Sequence, residues 1–334
     1  MSETSDLPLV TVVIPYFQRQ SGILKKCVES IVSQENYSNF NVIVVDDASP
    51  VSADSELADI LARDSRIRVI RQDNAGPGAA RNRGLDNIPA DTTYVAFIDS
   101  DDWWEKDFLC CAIEALEQGH DLYFANSSRM GFSETRFDWQ AKDGLNLDEK
   151  SHLCLDETRK LYRFKGDFFD YAIVRSNIIS TSALVYRLSC QPQLRFSTRL
   201  FNGQDRLFKL MLAQATNKVA FCPRVMVQEE TGVNIFDSAK WGTAKSLVLL
   251  SNYIKLAKCI LQELRLTPTQ QAHVKSQLQD SRFSMVASLM HLLKSGDPFD
   301  WKVISGTIKA DPAFLFCFVP NLFRLLMRRN GGAK

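Results

Sequence analysis

YVAFIDSDDWW, residues 94–104, joins an apolar β-type run to a cluster of three aspartates. Three similar apolar runs come earlier in the chain, LVTVVI (9–14), NVIVV (41–45) and IRVI (67–70), and amphipathic segments separate them. Because strands that alternate with helices form parallel sheets, we predict an α/β fold with a doubly wound, mostly parallel sheet. The aspartates then lie at the carboxyl end of a strand, where such folds place their binding sites.

The rest of the chain predicts two further regions. Residues 130–200 mix aromatic and charged side chains without a sustained period, so we expect strands and loops that shape a pocket there. Beyond about residue 240, apolar residues recur at helical spacing. We therefore predict an α/β domain over residues 1–238 and a helical appendage over residues 239–334.

The composition indicates a globular protein whose charged sites are local. Its 40 Lys and Arg balance 39 Asp and Glu, which argues against a surface built to bind nucleic acid. The eight cysteines form no CxxC pair and the four histidines are isolated, so a zinc site or a Cys–His nucleophile lacks its usual local spacing. The first residues, MSETSDLP, lack the apolar run of a secretory signal, and we expect a cytoplasmic protein.

Asp99, Asp101 and Asp102 stand close together in the sequence and repel one another. A hard cation such as Mg²⁺ or Mn²⁺ would neutralise them, since oxygen ligands suit these metals and the metal in turn holds an anionic substrate. The alternative is that Asp101 or Asp102 caps a helix that begins near Glu105. Capping explains one aspartate and not three, so the cluster favours metal or substrate binding.

Two further segments place polar residues at a strand end and at a turn. In VIVVDDAS, Asp46 and Asp47 end the second strand, where they could cap the next helix or accept bonds from a nucleotide. NAGPGAARNRG, residues 74–84, is a glycine-rich turn that runs into a helix and brings Arg81 near a helix start, which favours phosphate. It is not a dinucleotide fingerprint, because its glycines do not follow the first strand.

Taken in order, these segments resemble glycosyltransferase family 2, whose members have the GT-A fold, over about residues 8–235. VVIPYFQ resembles the first strand and turn of the family, with Gln18 where asparagine is usual. VVDDAS, NAGPGAARNRG and DSDDWW resemble its nucleotide-binding and DxD segments. The resemblance implies nucleotide binding by Pro15, Phe17, Asp47, Arg81, Asp99 and Ser100. It also implies that Asp101 and Asp102 hold a divalent metal, Mn²⁺ or Mg²⁺.

FNGQDRLF, residues 201–208, resembles the family's G-E-D-x-x-F segment, whose aspartate is the catalytic base. The resemblance gives this role to Asp205, which would otherwise be an acid at a helix N-terminus. Two positions depart from the family. Gln204 replaces its glutamate, and Glu229 and Glu230 stand where a histidine near the sugar diphosphate is frequent. A carboxylate there could also ligate a metal.

The reaction that the resemblance implies is an inverting glycosyl transfer. A sugar would move from a nucleotide diphosphate sugar to a hydroxyl of a glycan or lipid-linked acceptor, and a UDP-sugar is the favoured donor. Such transfers occur in bacterial surface polysaccharide synthesis. A catalytically silent scaffold is the main alternative, since Gln204 and the missing histidine depart from the family. A sugar nucleotidyltransferase fits less well, because PYFQRQSG, after the first strand, is not a basic glycine-rich loop.

PAFLFCFVPNLFRLLMRRNGGAK, residues 312–334, joins an apolar segment to basic residues, with no acid after Asp311. Its basic residues are Arg324, Arg328, Arg329 and Lys334. Pro320 and Arg324 interrupt the apolar run, which is then too short to span a bilayer. Two interpretations remain. Residues 313–334 contact anionic lipid on the inner face of the cell membrane, or their apolar side chains pack on the appendage. In the first, the side chains entering the headgroup region are Phe314, Leu315, Phe318, Leu322, Phe323, Leu325 and Leu326.

Overall fold

The computed structural model of the chain describes residues 7–138, 147, 149–175, 178–230 and 241–331. Its strands are β1 (Leu9–Tyr16), β2 (Phe40–Asp47), β3 (Ile67–Gln72), β4 (Thr92–Phe97), β5 (Trp103–Trp104), β6 (Leu122–Arg129), β7 (Leu153–Asp156), β8 (Leu161–Arg163), β9 (Leu184–Arg187) and β10 (Val219–Glu229). Its α-helices are α1 (Ile23–Val32), α2 (Ala53–Glu56), α3 (Ala58–Leu61), α4 (Pro77–Leu85), α5 (Phe108–Glu117), α6 (Phe168–Val174), α7 (Gln204–Ala215), α8 (Ala244–Glu263), α9 (Pro268–Ser295), α10 (Trp301–Ala310) and α11 (Ala313–Gly331). Short 3₁₀ helices at Thr181–Ala183 and Leu188–Cys190 flank β9.

The strands form one mixed sheet with the order β3-β2-β1-β4-β9-β6-β10-β8-β7, and β5 pairs with β10. β3, β2, β1 and β4 run parallel to one another. β1 and β2 are buried almost throughout, as expected for parallel strands with both faces covered. β9 enters antiparallel between β4 and β6, while β6 and β10 are parallel. The predicted doubly wound α/β sheet is confirmed, and the region 130–200 adds antiparallel strands.

The segment after the acidic cluster differs from the expectation. The helix expected near Glu105 is α5, which has Asp107 at its N-cap. The intervening residues Trp103 and Trp104 form β5, a short strand that pairs antiparallel with β10 before the chain turns into α5. The acidic cluster therefore precedes a strand, and the helix-capping alternative for Asp101 and Asp102 is wrong.

Two glycines position α4 on the sheet. A Cβ at Gly84 would lie 2.3 Å from Cγ1 of Val13 on β1, so a larger residue would push the helix away from the strand. At the start of α4, Gly76 has a φ of 87°, a left-handed value that favours glycine, and Pro77 follows at the first helical position. Arg81 lies between these two fixed points.

The chain divides into two compact units. The first comprises Met1–Thr198 and Phe208–Gly232 and contains the sheet; the second comprises Arg199–Leu207 and Val233–Lys334. In the second unit the described residues from 244 onward form α8 to α11, so the predicted helical region is confirmed. The boundary predicted between residues 238 and 239 lies outside the described residues.

A buried ion pair joins α9 to the junction between α10 and α11. Arg282 donates from Nε to Oδ2 of Asp311 at 2.7 Å and from Nη2 to Oδ1 at 2.6 Å. Asp311 is fully buried, and Nζ of Lys258 lies 3.8 Å from its Oδ1. The charge of this carboxylate is therefore balanced by a bidentate guanidinium.

α11 continues through Pro320, so the interruption expected there is not present in the helix. A proline inside a helix lacks the N–H that would bond the carbonyl four residues back, which weakens a helix and does not always end it. Among the described residues, no single helix is long and apolar enough to cross a bilayer. The bent pair Trp301–Ala310 and Ala313–Leu325, with 114° between its two helices, passes that test on length and composition alone.

Candidate active site

Asp47, at the end of β2, holds the glycine-rich turn that precedes α4. Its Oδ1 accepts from the side chain of Gln72 and the backbone N–H of Ala75, and its Oδ2 accepts from the backbone N–H of Gly76, all at 2.8 Å. Asp46 instead accepts backbone N–H groups near the start of α2. Asp46 therefore takes the helix-start role that the sequence left open, whereas Asp47 holds the turn before α4, and its contact with a nucleotide stays a prediction.

Arg81, on α4, lies buried beside Asp99 at the end of β4. Its Nη2 donates to Oδ1 of Asp99, whose side chain is 39% exposed, and its guanidinium carbon lies 5.3 Å from the ring centre of Phe196. Nε and Nη1 of Arg81 are buried and have no hydrogen-bond partner within the described part of the chain. Because buried donors without partners are costly, these two nitrogens fit an anionic ligand.

Ser182, just before β9, connects the members of the acidic cluster. Its Oγ donates to Oδ2 of Asp102 and accepts the backbone N–H of Asp99 at 3.0 Å. Its carbonyl accepts from Nε1 of Trp104 at 2.7 Å. The backbone N–H of Glu230 donates to Oδ1 of Asp102 at 3.3 Å. Both oxygens of the buried Asp102 are thus engaged, and its carboxylate is held in one orientation.

The acidic cluster carries more negative charge than its surroundings balance. Burial and then the charge of Asp99 raise the pKa of the half-buried Asp101 to about 6. Burial, followed by the charges of Asp99 and Asp101, also raises the pKa of Asp102. Among the described residues, the cluster forms an ion pair with Arg81 alone. An added cation would relieve the remaining repulsion and favour the ionised carboxylates.

The turn after β1 lies beside the same cluster. The buried Gln18 donates from Nε2 to Oγ of Ser100 at 3.4 Å, and its backbone N–H donates to Oγ of Ser49 at 2.8 Å. Pro15 is buried in β1, whereas the side chain of Phe17 is 42% exposed. Phe17 therefore offers an aromatic face at a strand end, where a nucleotide base can stack.

Glu229, the last residue of β10, and Glu230, which follows it, have partners of their own. Glu229 pairs with Arg136 through Nη2 and, at 3.1 Å, through Nε, and it accepts from Oγ of Ser127 at 2.6 Å. Burial works against ionisation here, yet the charge of Arg136 holds the pKa of Glu229 below its usual range. Glu230 donates its backbone N–H to Asp102. The charge of Glu229 is therefore already balanced by Arg136.

The two tryptophans after the acidic cluster have different surroundings. Trp104 is buried and stacks on Phe108 with 4.3 Å between ring centres. Trp103 is half-buried, and Nζ of Lys26 lies 3.1 Å from the centre of its ring. Trp104 is therefore a core residue, while Trp103 keeps part of its surface open to a ligand.

Asp205 lies in the first turn of α7, among residues that belong to the second unit. Burial lowers the pKa of the adjacent Arg206, and the negative charge of Asp205 offsets part of this shift. Gln204 is buried, and its Oε1 has no hydrogen-bond partner in the described ranges. Phe208, which belongs to the first unit, stacks on Phe196 with 4.0 Å between ring centres. The aromatic residue of this segment is thus part of the core of the first unit.

Comparison with known families assigns the first half of the chain. The sequence profile described as Glycosyl transferase family 2 matches residues 11–186, more than half of the chain. The chain belongs to this family. The matched range contains Asp47, Arg81, the acidic cluster and Ser182, and it ends before Asp205. The Succinoglycan biosynthesis protein ExoW of Rhizobium meliloti (strain 1021) is 33% identical over 232 residues, which are 69% of this chain and 71% of that protein.

Two solved structures resemble this family 2 glycosyltransferase in fold. S. aureus TarS 1-349, in complex with UDP-GlcNAc, has a TM-score of 0.52 and 14% sequence identity, and the match covers 91% of each chain. The mannosyltransferase PcManGT from Pyrobaculum calidifontis, in complex with GDP-Man and Mn2+, has a TM-score of 0.55 and 16% identity, over 98% of this chain and 85% of that one. At these identities the likeness shows the fold alone, which confirms the predicted GT-A fold.

A divalent cation fits the acidic cluster of this glycosyltransferase if it is shared with a substrate. Within the described part of the chain, no group of three or more His, Cys, Asp or Glu side chains is arranged to hold a metal ion. Mg²⁺ is usually held by one or two carboxylates together with substrate phosphates, and Mn²⁺ also prefers oxygen ligands. The half-buried Asp101 offers such oxygens, so the donor chemistry fits a cation whose other ligands come from a diphosphate.

The sequence did not reveal two residues that contact the cluster or its neighbours. Ser182 lies far along the chain from Asp102 in a stretch without a clear period, and a lone serine carries no signal of this role. Arg136 lies in the irregular segment after β6, and its pairing with Glu229 also depends on a distant contact. The local sequence predicts neither residue, because each acts through contacts that form only in the folded sheet.

Proposed function

We propose that the protein transfers a sugar from a nucleotide diphosphate sugar, a UDP-sugar in the first place, to an acceptor hydroxyl with inversion at the anomeric carbon. The observation that carries this proposal is the buried Arg81, whose Nε and Nη1 lack partners in the described part of the chain, beside a cluster of three carboxylates. The guanidinium of Arg81 offers N–H groups to a diphosphate, and the acidic cluster beside it offers oxygen ligands to the metal that a diphosphate carries.

Donor binding follows from the side chains around the turn. Arg81 would donate its two unused N–H groups to a phosphate, and Asp99, at the end of β4, would meet the ribose. Within the described residues Asp47 Oδ2 accepts one hydrogen bond, from the backbone of Gly76, and a carboxylate oxygen can accept a second one, which a base N–H would provide. Phe17 would stack on the base, and Pro15 fixes the strand end from which Phe17 projects. Ser100, buried and bonded to Gln18, supports the segment between Asp99 and Asp101.

The acidic cluster would hold Mn²⁺ or Mg²⁺. Asp101 would be the direct ligand, and Asp102, fixed by Ser182 and the backbone of Glu230, would contribute its charge and a second oxygen. The cation, when bound, stabilises the negative charge that develops on the diphosphate leaving group. Ser182 and Arg81 keep the cluster oriented before the donor arrives, so little reorganisation is needed when it binds.

Asp205 would act as the general base. Its carboxylate would take the proton of the acceptor hydroxyl while that oxygen attacks the anomeric carbon and the bond to the diphosphate breaks. A single displacement of this kind inverts the configuration, because attack and departure occur on opposite faces. General-base catalysis contributes about 10²- to 10⁴-fold to such a step. The proposal for Asp205 is supported by its resemblance to the family's G-E-D-x-x-F segment and by its place in the first turn of α7.

The acceptor would be a glycan or a lipid-linked glycan of a bacterial surface polysaccharide. This proposal is supported by the similarity to ExoW, a succinoglycan biosynthesis protein, which extends over 69% of this chain and 71% of that protein. We further propose that the protein works in the cytoplasm, at the inner face of the cell membrane, where lipid-linked acceptors are presented.

The test is a donor screen that measures nucleotide released from UDP- and GDP-sugars, with Mn²⁺ and with a chelator. Arg81→Gln should weaken nucleotide binding at least about tenfold, since charge-assisted bonds to a phosphate are lost. Arg83→Gln is the matched control, because Arg83 is exposed two residues further along the same helix. Circular dichroism checks that both variants fold. If no donor releases nucleotide, the transferase proposal fails and the scaffold alternative gains support. Equal nucleotide affinity in the two variants would show that Arg81 does not bind the nucleotide.

A further inference from the structure

α11 presents a stripe of large apolar side chains to solvent. The stripe consists of Leu315, Phe316, Val319, Phe323 and Met327, all exposed. Their spacing of three or four residues, with Leu315 and Phe316 adjacent, places them along one side of the helix. Phe316 is 82% exposed and Val319 is 70% exposed. Contiguous apolar surface of this kind is uncommon on a protein that remains in water and indicates an interaction site.

The other side of α11 already satisfies the packing needs of the fold. Phe314 is buried, and α11 packs on α9, where the guanidinium carbon of Arg324 lies 4.9 Å from the ring centre of Phe283. The bidentate pair of Arg282 and Asp311 fixes the start of the helix. The packing alternative is therefore correct for Phe314, which is not available to lipid. The exposed stripe is a separate surface that the packed side does not explain.

The exposed charges that the structure describes within residues 301–334 have one sign. Lys302 and Lys309 are exposed on α10, and Arg324 is exposed on α11. The sequence continues with Arg328, Arg329 and Lys334. The single acidic residue in residues 301–334 is Asp311, which is fully buried in its ion pair. The surface thus combines exposed apolar residues with positive charge that no exposed carboxylate in this stretch offsets.

We propose that this stripe docks on an anionic lipid bilayer, with α11 lying in the plane of the interface. Apolar side chains on one face with basic residues beside them are the pattern of an interfacial helix, and each basic residue adds attraction to anionic headgroups. A second copy of the chain is a poorer occupant, because pairing two stripes would bring like charges together. The exposed Trp301, at the start of α10, is an aromatic residue of the type enriched at headgroup level. This inference deepens the proposed function, on which it rests for the idea that the acceptor is lipid-linked.

The experiment is co-sedimentation of the full chain with phosphatidylcholine vesicles and with vesicles that also contain phosphatidylglycerol. The test variant is Phe316→Ser with Phe323→Ser. The control is Val248→Ser with Leu293→Ser, which removes two exposed apolar side chains from α8 and α9 of the same unit. We expect the test variant to lose at least about tenfold in vesicle affinity, because two large apolar side chains no longer enter the interface. The control should bind as the unchanged protein does, and added salt should weaken binding.

Nucleotide release with a water-soluble acceptor is measured on the same proteins, because this separates docking from catalysis. The docking proposal predicts unchanged release in both pairs of variants. Absence of vesicle binding in the unchanged chain, or equal binding by the test variant, overturns the proposal. Equal binding to neutral and anionic vesicles overturns the assignment of anionic lipid. A concentration-dependent dimer that the test variant breaks, without vesicle binding, assigns the stripe to a second copy instead. Absence of nucleotide release with intact vesicle binding overturns the proposed function and leaves the docking surface standing.

Discussion

Asp102 and Asp311 are both buried carboxylates, one in each unit, but their surroundings are opposite. Asp311 faces the bidentate guanidinium of Arg282, with Lys258 nearby. Asp102 accepts from a serine hydroxyl and a backbone N–H, and its sequence neighbours carry the same charge. A buried acid with its counter-charge in place holds helices together. A buried acid among other acids lacks such a counter-charge, and an added cation would stabilise its ionised form.

The largest effect is expected at the partly exposed member of the acidic cluster. Asp101→Ala should lower turnover by at least about 10³-fold, because the stabilisation of the leaving group by a metal is worth several kcal/mol. Folding should be unaffected, since the substitution also removes like-charge repulsion. Steady-state turnover and Mn²⁺ titration measure the two effects. The control is Asp91→Ala, an exposed acid directly before β4, at the opposite end of that strand from the cluster. Wild-type Mn²⁺ affinity in the Asp101 variant would contradict the assignment.

Breaking the balanced pair should affect stability instead. Asp311→Asn should cost about 3–5 kcal/mol of the free energy of unfolding, because Arg282 is left buried without its counter-charge. Denaturant unfolding followed by circular dichroism measures this loss. Asp280→Asn removes an exposed acid from the same helix as Arg282 and should change stability little. Arg282→Met combined with Asp311→Leu should recover part of the loss, and no recovery would show that the pair does more than balance charge.

A third test concerns the proposed base, which lies outside the acidic cluster. Asp205→Asn should reduce turnover by at least about 10²-fold and leave donor affinity unchanged, because the shape is kept while the proton acceptor is lost. Single-turnover kinetics and calorimetric binding of UDP separate the two quantities. Gln204→Glu is a companion variant, which restores the residue of the family segment beside Asp205 and tests whether that position affects the base. A parallel fall of affinity and rate in the Asp205 variant would make Asp205 a binding residue.

Ser182→Ala should have a smaller effect on both properties. The substitution removes the donor to Asp102 and the acceptor of the Asp99 N–H, which should cost about 1–3 kcal/mol in stability. It should also weaken Mn²⁺ binding, because Asp102 is no longer held in one orientation. Electron paramagnetic resonance of bound Mn²⁺ reports this change directly. Ser55→Ala, on α2 and exposed, is the control. Unchanged Mn²⁺ affinity would reduce Ser182 to a purely structural residue.

The smallest expected effect is a gain of stability when Asp102 is neutralised. It tests the comparison most directly, because the same change at Asp311 should cause a loss of stability. The raised pKa of Asp102 means that the ionised form opposes folding, so metal-free stability should fall as pH rises through that pKa. Asp102→Asn stays neutral and should be more stable than the unchanged protein by up to about 1 kcal/mol above that pKa, with no difference at low pH. Thermal unfolding followed from about pH 4, the ordinary pKa of an aspartate, upward measures the gap. A loss of stability like that of Asp311→Asn would mean that Asp102 has a counter-charge after all.

The sequence predicts the parallel half of the sheet well and the antiparallel half poorly, for a physical reason. β1 and β2 are buried on both faces, so they appear as continuous apolar runs. β7 is partly exposed and short, and its residues LCLD have no such run. Propensity and periodicity therefore detect the first kind of strand and miss the second.

The same limit applies to the candidate site. Asp47, Arg81 and Asp99 lie in contiguous segments whose composition alone indicates binding. The different contacts of the adjacent Asp46 and Asp47 depend on which way each side chain points from β2, which the letters do not encode. The sequence left a metal-ligand role open for Glu229, whose charge is balanced by Arg136, a residue distant in sequence.

The contacts of Asp102 also have a consequence for the order in which the protein can assemble during synthesis. Its partner Ser182 lies 80 residues further along the chain, and the backbone N–H of Glu230 lies 128 residues further along. β1 to β4 all lie within residues 9–97, so they can pair once that part of the chain has left the ribosome. The acidic segment, in contrast, stays without its fixing contacts until β9 and β10 have been made. A nascent chain that stops before β10 therefore carries the charges of the site without the scaffold that orients them.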